Sequence, residues 1–394
     1  MKALRVVLVT RRFWPLVGDA EDAMRDLACG LPRLGVQTTV VSPRWHADWP
    51  ALSHFGGTRV HRLQLRGGAL ASRTYFLMSL VHWLRRRRSQ FDLVVVAGMR
   101  SEAYATLWSF RRTPIPVVLR PEIDDLDWQK KSLAGSACRK RCQTAAALIA
   151  REPTIKQALL QEGWTPSRLH SVPDGIPPGR LRKIAICCEA RRDLASANGD
   201  LTTGVGAPLV VYCGPLQRHA GLITLVRAWP TVLRQWPTAK LWLIGEGPDR
   251  EPLFQLIRDL EIADCVLLPG AFENLEQVFL AADLLAEPRV VDSLPRVFLE
   301  AAAAGLPIIA PMTAAWQYHP VLASLVNRVP EAADTQIWSR MIVETLSQVP
   351  EPGKQAAQRR RILECHSRNR MLRAHLELFE GLTGSKEDFA GQKK

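Results

Sequence analysis

Asp292 and Glu300, two carboxylates eight positions apart, are the residues whose type and spacing most suggest chemistry. Glu300 stands between Phe298-Leu299 and the run Ala301–Ala304, on a segment that should otherwise pack as a helix. Helical side chains lean back toward the amino end, so its carboxylate should aim at the mouth of that helix. There the free N–H groups of Ser293, Leu294 and Arg296, together with the positive end of the helix dipole, make an anion site. A carboxylate beside an anion site suits a ligand that carries both phosphate and hydroxyl groups. Ser293 is suited to cap the first turn, Pro295 costs little there, and Gly305 stops the helix.

The segments that must hold these residues read as alternating strands and helices. Leu284-Leu285-Ala286 and Leu306 to Ala310 are short apolar strands around the Glu300 helix, which makes a βαβ unit. Upstream, strands at Pro208 to Gly214 and Lys240 to Ile244 end in glycine loops at Gly214 and Gly245, with a helix over Leu222 to Trp236 between them. The first half repeats the pattern. Strand Leu4 to Thr10 leads through a loop ending near Gly18 into a helix from about Asp22 to Leu34, then a strand from Thr38 to Ser42. Later strands follow at Leu93 to Val96, Pro116 to Arg120, Ala145 to Ala150 and Leu169 to Val172. The acidic, aromatic exit Arg120 to Gln129 leaves the carboxyl end of a strand, where such sheets bind ligands. Residues 176–207 lose periodicity and gather Pro, Arg, Gly, Ser and Asn, as a linker does. The fold class is α/β with two doubly wound, Rossmann-like domains: 1–175, a linker 176–207, 208–354, and a last helix with a loose tail over 355–394.

The run Leu299-Glu300-Ala301 through Gly305-Leu306-Pro307, with Asp283 and the Asp292-to-Glu300 spacing, resembles the donor-binding signature of the retaining GT-B glycosyltransferases of family 4. In that signature the first acid is usually Glu, where this chain has Asp292. The resemblance extends from Gly214 to Pro311 and, more loosely, to the loop at Gly18, where Asp19 replaces a second glycine, and to the turn Pro173-Asp174-Gly175. It implies two domains facing across a cleft and a last helix that crosses back to the first. It also implies a retaining transfer of sugar from a nucleotide-diphosphate sugar, without a metal, to a glycan, lipid-linked or small-molecule acceptor. In that reading Glu300 holds donor hydroxyls, Asp292 the sugar ring, and the turn Ser293 to Arg296 the phosphates, with Gly214, Arg218 and Gly245 as further nucleotide-sugar-binding positions, while Gly18 borders the cleft. The loop Gly214 to Gly221 departs from the pattern, because Pro215 and Ala220 stand where the family carries Arg and Lys. Two phosphate contacts, each worth roughly 1.5 to 3 kcal/mol, are thereby removed unless Arg218 or its neighbours replace them. Two readings stay open: an enzyme with altered donor use, and a catalytically silent GT-B domain that binds a nucleotide-sugar, glycan or partner enzyme.

A formal charge of +14 invites a polyanion. Nucleic acid is disfavoured, since the basic stretches lack the aromatic interleaving of an RNA-binding module. Arg85 to Arg88, after the apolar stretch Tyr75 to Trp83, read either as the basic end of a packed helix or as a patch against anionic lipid. The eight cysteines lack zinc-site spacing and suit free thiols in a reducing compartment. No segment has the roughly 18 to 20 apolar residues of a membrane span, and Arg11-Arg12 end the first apolar run too early for a secretory signal. The expected location is cytoplasmic, with peripheral contact at the inner face of the membrane as an option.

Overall fold

The computed structural model describes residues 3–391 apart from 132, 218–219, 291–293, 314–315, 317–318 and 349–350. It divides into two compact units, one built from the chain up to Gly175 together with the segment from Arg368 on, the other from Ile176–Ser367.

The strands of the first unit are β1 (Arg5–Val9), β2 (Gln37–Arg44), β3 (Leu52–Phe55), β4 (Thr58–Gln64), β5 (Leu93–Ala97), β6 (Val117–Arg120), β7 (Ala147–Ala150) and β8 (Leu169–Ser171). They lie in the order β3-β4-β2-β1-β5-β6-β7-β8. Every pairing is parallel except β3 with β4, a hairpin turning at Gly56-Gly57. Alternation along β1 sends Val7 and Val9 to one apolar face and Val6 and Leu8 to the other. The helices Ala69–Arg87, Ser101–Phe110 and Leu133–Cys142 cover the first face through Phe76, Leu80, Leu107 and Cys138. On the second face, Asp19–Gly30 contributes Met24 and Leu27, and the terminal helix Arg368–Gly391 contributes Met371, Leu372 and Phe379.

The second unit has β9 (Leu209–Cys213), β10 (Lys240–Ile244), β11 (Val266–Gly270), β12 (Leu284–Ala286), β13 (Ile308–Pro311) and β14 (Val326–Val329). The order is β11-β10-β9-β12-β13-β14, wholly parallel. Both sheets are doubly wound. Their order reverses between β1 and β5 and between β9 and β12, and the crevice outside the carboxyl ends at such a switch point is where these sheets take ligands.

Two expected boundaries differ from the structure. The stretch 176–207 contains the helix Ile184–Ala197, whose Ala190 and Leu194 are buried in the second unit's core. Charge ties it to the sheet: Arg182, just before the helix, and Arg191, within it, both bind Asp283, and Arg191 Nε also donates to the Ala281 carbonyl at 2.9 Å. The terminal region is two helices rather than one. Pro352–His366 belongs to the second unit, where Arg359 donates to the Ala303 carbonyl at 2.6 Å, and Arg368–Gly391 belongs to the first.

Candidate functional site

The Glu300 helix spans Arg296–Ala304 and ends at Gly305, whose φ of 81° is the left-handed cap that glycine adopts freely. Phe298 and Leu299 anchor it in the core, with Phe298 stacked on Trp316 at 5.4 Å between ring centroids. Packing on that side turns Glu300 toward the strand exits, where its side chain is 22% exposed. Pro295 is the residue preceding the first turn, and among the described residues no side chain caps it. Asp292, Ser293 and Arg218 lie outside the described residues, and the side chain of Leu294 is buried in the core.

Glu300 meets a cation inside its own helix. Arg296 Nε donates to Glu300 Oε1 at 2.7 Å, and the Arg296 side chain is only 6% exposed. A second pair stands at the exit of β12. Arg289 donates through Nε and Nη2 to the two oxygens of Glu287, at 2.8 and 2.7 Å, and Glu287 is fully buried. Such a bidentate fork is the strong form of the interaction. Burial, followed by the charges of Glu287 and Glu300, pushes the Cys213 thiol at the end of β9 well above its ordinary value. Glu287, Glu300 and their arginines are thus gathered at the β9/β12 switch point.

The glycines here make room for the protein itself. A side chain at Gly214 would meet the Tyr212 hydroxyl at 2.8 Å and the Arg289 guanidinium at 3.0 Å. At Gly245, with φ of 147°, a Cβ would lie 1.8 Å from the Gly214 carbonyl oxygen. Tyr212 donates to the Pro215 carbonyl at 2.9 Å, and burial pushes its hydroxyl well above the ordinary tyrosine value. Ala220 is fully buried. Asp283, quoted with the donor signature, sits at the amino end of β12, where it accepts from Leu209 N–H and from Arg191; it joins the helix Ile184–Ala197 to the sheet.

The first unit carries its own charged cluster at the exits of β6, β7 and β8. Arg120 is 1% exposed and pairs with Asp174, while Arg151 reaches Glu122 at 2.9 Å and Asp174 at 3.4 Å. Burial pushes Glu122 up to about 7, against the pull of Arg151 and Arg120. Burial opposes the charge on Arg151 too, but Glu122, Asp174, Glu152 and Asp19 outweigh it and hold that guanidinium above its ordinary value. Asp125 ties two exits together by accepting from Met99 N–H at 2.8 Å and Arg100 Nε at 2.7 Å. Gly18 directly precedes the helix after β1, and its carbonyl accepts from Asp22 N–H at 2.8 Å. Sequence reasoning did not single out Glu287, Arg151 or Glu122. The usable signal was position, since each is within two residues of the carboxyl end of a parallel strand.

Two family profiles match this chain, "Glycosyl transferase 4-like domain" over residues 18–175 and "Glycosyl transferases group 1" over residues 207–332. The chain is 33% identical over 324 residues to the GDP-mannose-dependent alpha-(1-6)-phosphatidylinositol monomannoside mannosyltransferase of Mycolicibacterium smegmatis, an alignment covering 77% of this chain and 80% of that protein. It is 29% identical over 245 residues to the D-inositol 3-phosphate glycosyltransferase of Nocardia farcinica, covering 60% of this chain and 49% of that one, so it spans about half the length of this relative. Sucrose-phosphate synthase from Thermosynechococcus elongatus superposes with a TM-score of 0.76 at 18% identity, over 97% of this chain and all of that one. The two sheets and their switch points define a GT-B fold. The chain belongs to the group 1 glycosyl transferases, family 4.

Proposed function

We propose that the protein transfers a sugar from a nucleotide-diphosphate sugar to an acceptor hydroxyl with retention of configuration. The observation that carries the reading is the pair of carboxylates Glu287 and Glu300, each held by an arginine, at the switch point of the second sheet. Family membership and the GDP-mannose donor in a relative's name support it. Glu300 grips donor hydroxyls, Asp292 the sugar ring, and the helix mouth from Ser293 through Leu294 to Arg296 the phosphates. Arg218 supplies a cation in place of those missing at 215 and 220, Gly214 and Gly245 keep the strand exits closely packed, and Gly18 borders the acceptor side. The bond from the anomeric carbon to the diphosphate breaks as the acceptor oxygen bonds to that carbon on the same face. The acceptor proton leaves with the departing diphosphate. The reading assigns no metal. The acceptor class is a glycan, lipid-linked or small molecule, and the run Arg85 to Arg88, of which Arg85, Arg86 and Arg88 are exposed, is assigned peripheral contact with an anionic membrane. Among the described residues no helix is long and apolar enough to cross one.

One observation favours a silent nucleotide-sugar-binding domain instead: Pro215 and Ala220 bring no charge, and Arg289 and Arg296 are already ion-paired. Calorimetric titration of the full chain with UDP-, GDP- and ADP-sugars and the matching free diphosphates, followed by product analysis, separates the two. Glu300→Gln should weaken nucleotide-sugar binding by roughly 1.5 to 3 kcal/mol, the worth of a charge-assisted hydrogen bond. Unchanged affinity would remove Glu300 from the site. Binding without any product, or no binding at millimolar ligand, would refute the transferase reading.

A further inference from the structure

The helix Leu133–Cys142 of the first unit carries two thiols that sugar transfer does not use. Cys138 and Cys142 are one helical turn apart, so their side chains share a face, and their sulfurs stand 3.9 Å from each other. Both are buried, Cys138 at 2% exposure and Cys142 at 0%. Cys187 and Cys188, adjacent on the helix Ile184–Ala197, do not converge in this way, since successive helical side chains point apart. Both thiols of the first pair reach the Met99 carbonyl, Cys138 at 3.4 Å and Cys142 at 3.9 Å, and Cys138 also reaches the Arg100 carbonyl at 3.1 Å. Neither carbonyl depends on them. That of Met99 also accepts from Gln129 Nε2 at 2.7 Å, and that of Arg100 from Tyr104 N–H at 3.1 Å. Removal of both thiol protons therefore leaves these buried acceptors with a donor each.

Distance decides what the pair can hold. A disulfide needs Cβ atoms about 3.5 to 4.5 Å apart. Side chains four apart on a helix keep them at about 5 to 6 Å, so direct joining of the sulfurs has to distort the last turn. One soft atom bonded to both sulfurs spans more: at a zinc–thiolate bond of about 2.3 Å and a tetrahedral angle, the sulfurs lie about 3.8 Å apart, close to the spacing found. A four-coordinate ion would want two further ligands, and among the described residues no third Cys, His, Asp or Glu joins the pair. The centre that fits is one satisfied by two sulfurs and a carbon group. Access and room for that group come from a groove of about 830 Å³ between this helix and the helices Ala69–Arg87 and Ser101–Phe110, because Cys138 is part of its lining. Met78, Tyr104, Trp108 and Ala134 line it too, and so apolar a wall suits an aromatic ring. A hydrogen bond with Cys142 holds the Cys138 thiol below its ordinary value, against the effect of burial, so Cys138 is the first of the two to bond.

We propose that Cys138 and Cys142 form a dithiol site for an aryl trivalent arsenical, one arsenic bridging both sulfurs with its ring in the groove. In the bonding step the arsenic gives up its oxygen, two arsenic–sulfur bonds form, and the two thiol protons leave with that oxygen as water; no atom changes oxidation state. The inference concerns binding alone and stands apart from sugar transfer. The reduced full chain, freed of added thiol, is titrated with phenylarsine oxide and the adduct read by intact-mass spectrometry. Stoichiometric uptake is expected, resistant to excess glutathione and reversed by ethanedithiol. Cys138→Ser and Cys142→Ser should each weaken it at least tenfold, while Cys187→Ser leaves it unchanged, with circular dichroism checking each fold. A readout without variants is shielding: in the parent protein the bound arsenical should protect Cys138 and Cys142 from maleimide added in denaturant, as located by peptide mass. Absence of an adduct overturns the proposal. So does undiminished uptake in folded Cys142→Ser, which would make this a single-thiol reaction, or shielding that falls on Cys187 and Cys188 instead.

Discussion

Two groups of the first unit, buried His375 and half-buried Glu122, titrate with opposite effects on its stability, and their cancellation is testable. His375 is fully buried, with Nδ1 2.8 Å from the Met371 carbonyl and the edge of Phe379 against its ring, and burial pushes it down to about 4. Between pH 6.5 and 4 the unfolded chain therefore binds the extra proton, and stability is lost as pH falls. Glu122 is the reverse case, because its pKa rises from 4.5 to about 7 in the fold. There the folded state binds the extra proton, and stability is gained as pH falls. At about 1.36 kcal/mol per pH unit, going from about pH 7 to about pH 5 costs about 2 kcal/mol through His375 and returns about 2 through Glu122. Protection of the β1 and β5 amides in hydrogen exchange, corrected for intrinsic rates, should then change little in the parent protein on account of these two groups. In Glu122→Gln the same step should lower protection by about 2 kcal/mol relative to the parent, since the His375 loss is no longer offset. Parallel pH dependence in the two proteins would show that one of the pKa values is misassigned.

Gly245→Ala should lose at least about 3 kcal/mol or fail to fold, because the new Cβ meets the Gly214 carbonyl at 1.8 Å in a backbone region that side chains avoid. A urea midpoint within experimental error of the parent's would contradict the packing described. Glu287→Gln keeps the shape but leaves Arg289 facing a neutral amide, and breaking so buried a pair should cost about 3 to 5 kcal/mol in chemical denaturation of the second unit. A loss under about 1 kcal/mol would mean that the pair contributes little beyond its replacement.

Most of both sheets was readable because central parallel strands carry unbroken apolar runs, such as residues 6–9 in β1 and 93–96 in β5, each ended by a polar or glycine exit. The β3/β4 hairpin escaped because Thr58–Gln64 mixes arginine and histidine with its apolar residues. Near the sheet edge Arg59 is exposed, whereas Arg62 is buried and donates to Ser53 Oγ at 2.7 Å and to the Trp14 carbonyl at 3.1 Å. The helix Ile184–Ala197 escaped because what fixes it is distant in sequence: Arg182, just before it, and Arg191, within it, both bind Asp283, 101 and 92 positions away. Pairing at that distance leaves no local pattern.

The site was readable to the same extent. Glu300 is conspicuous because it interrupts an apolar helix, and its partner Arg296 stands one helical turn before it, as Glu287 stands two positions before Arg289. What only the fold supplies is the meeting of the two pairs, because the exits of β9 and β12 lie side by side. Their presence changes what the missing cations at 215 and 220 mean. A free phosphate approaching Arg296 must compete with the Glu300 carboxylate that already holds it. On the proposed reading a nucleotide-sugar brings both exchanges together, its hydroxyls taking over Glu300 while its diphosphate takes over the guanidinium. The site then favours the intact donor over the bare diphosphate, which the paired titrations measure directly: equal or tighter binding of the free diphosphate would mean that Glu300 stays with Arg296 and takes no part in holding the sugar.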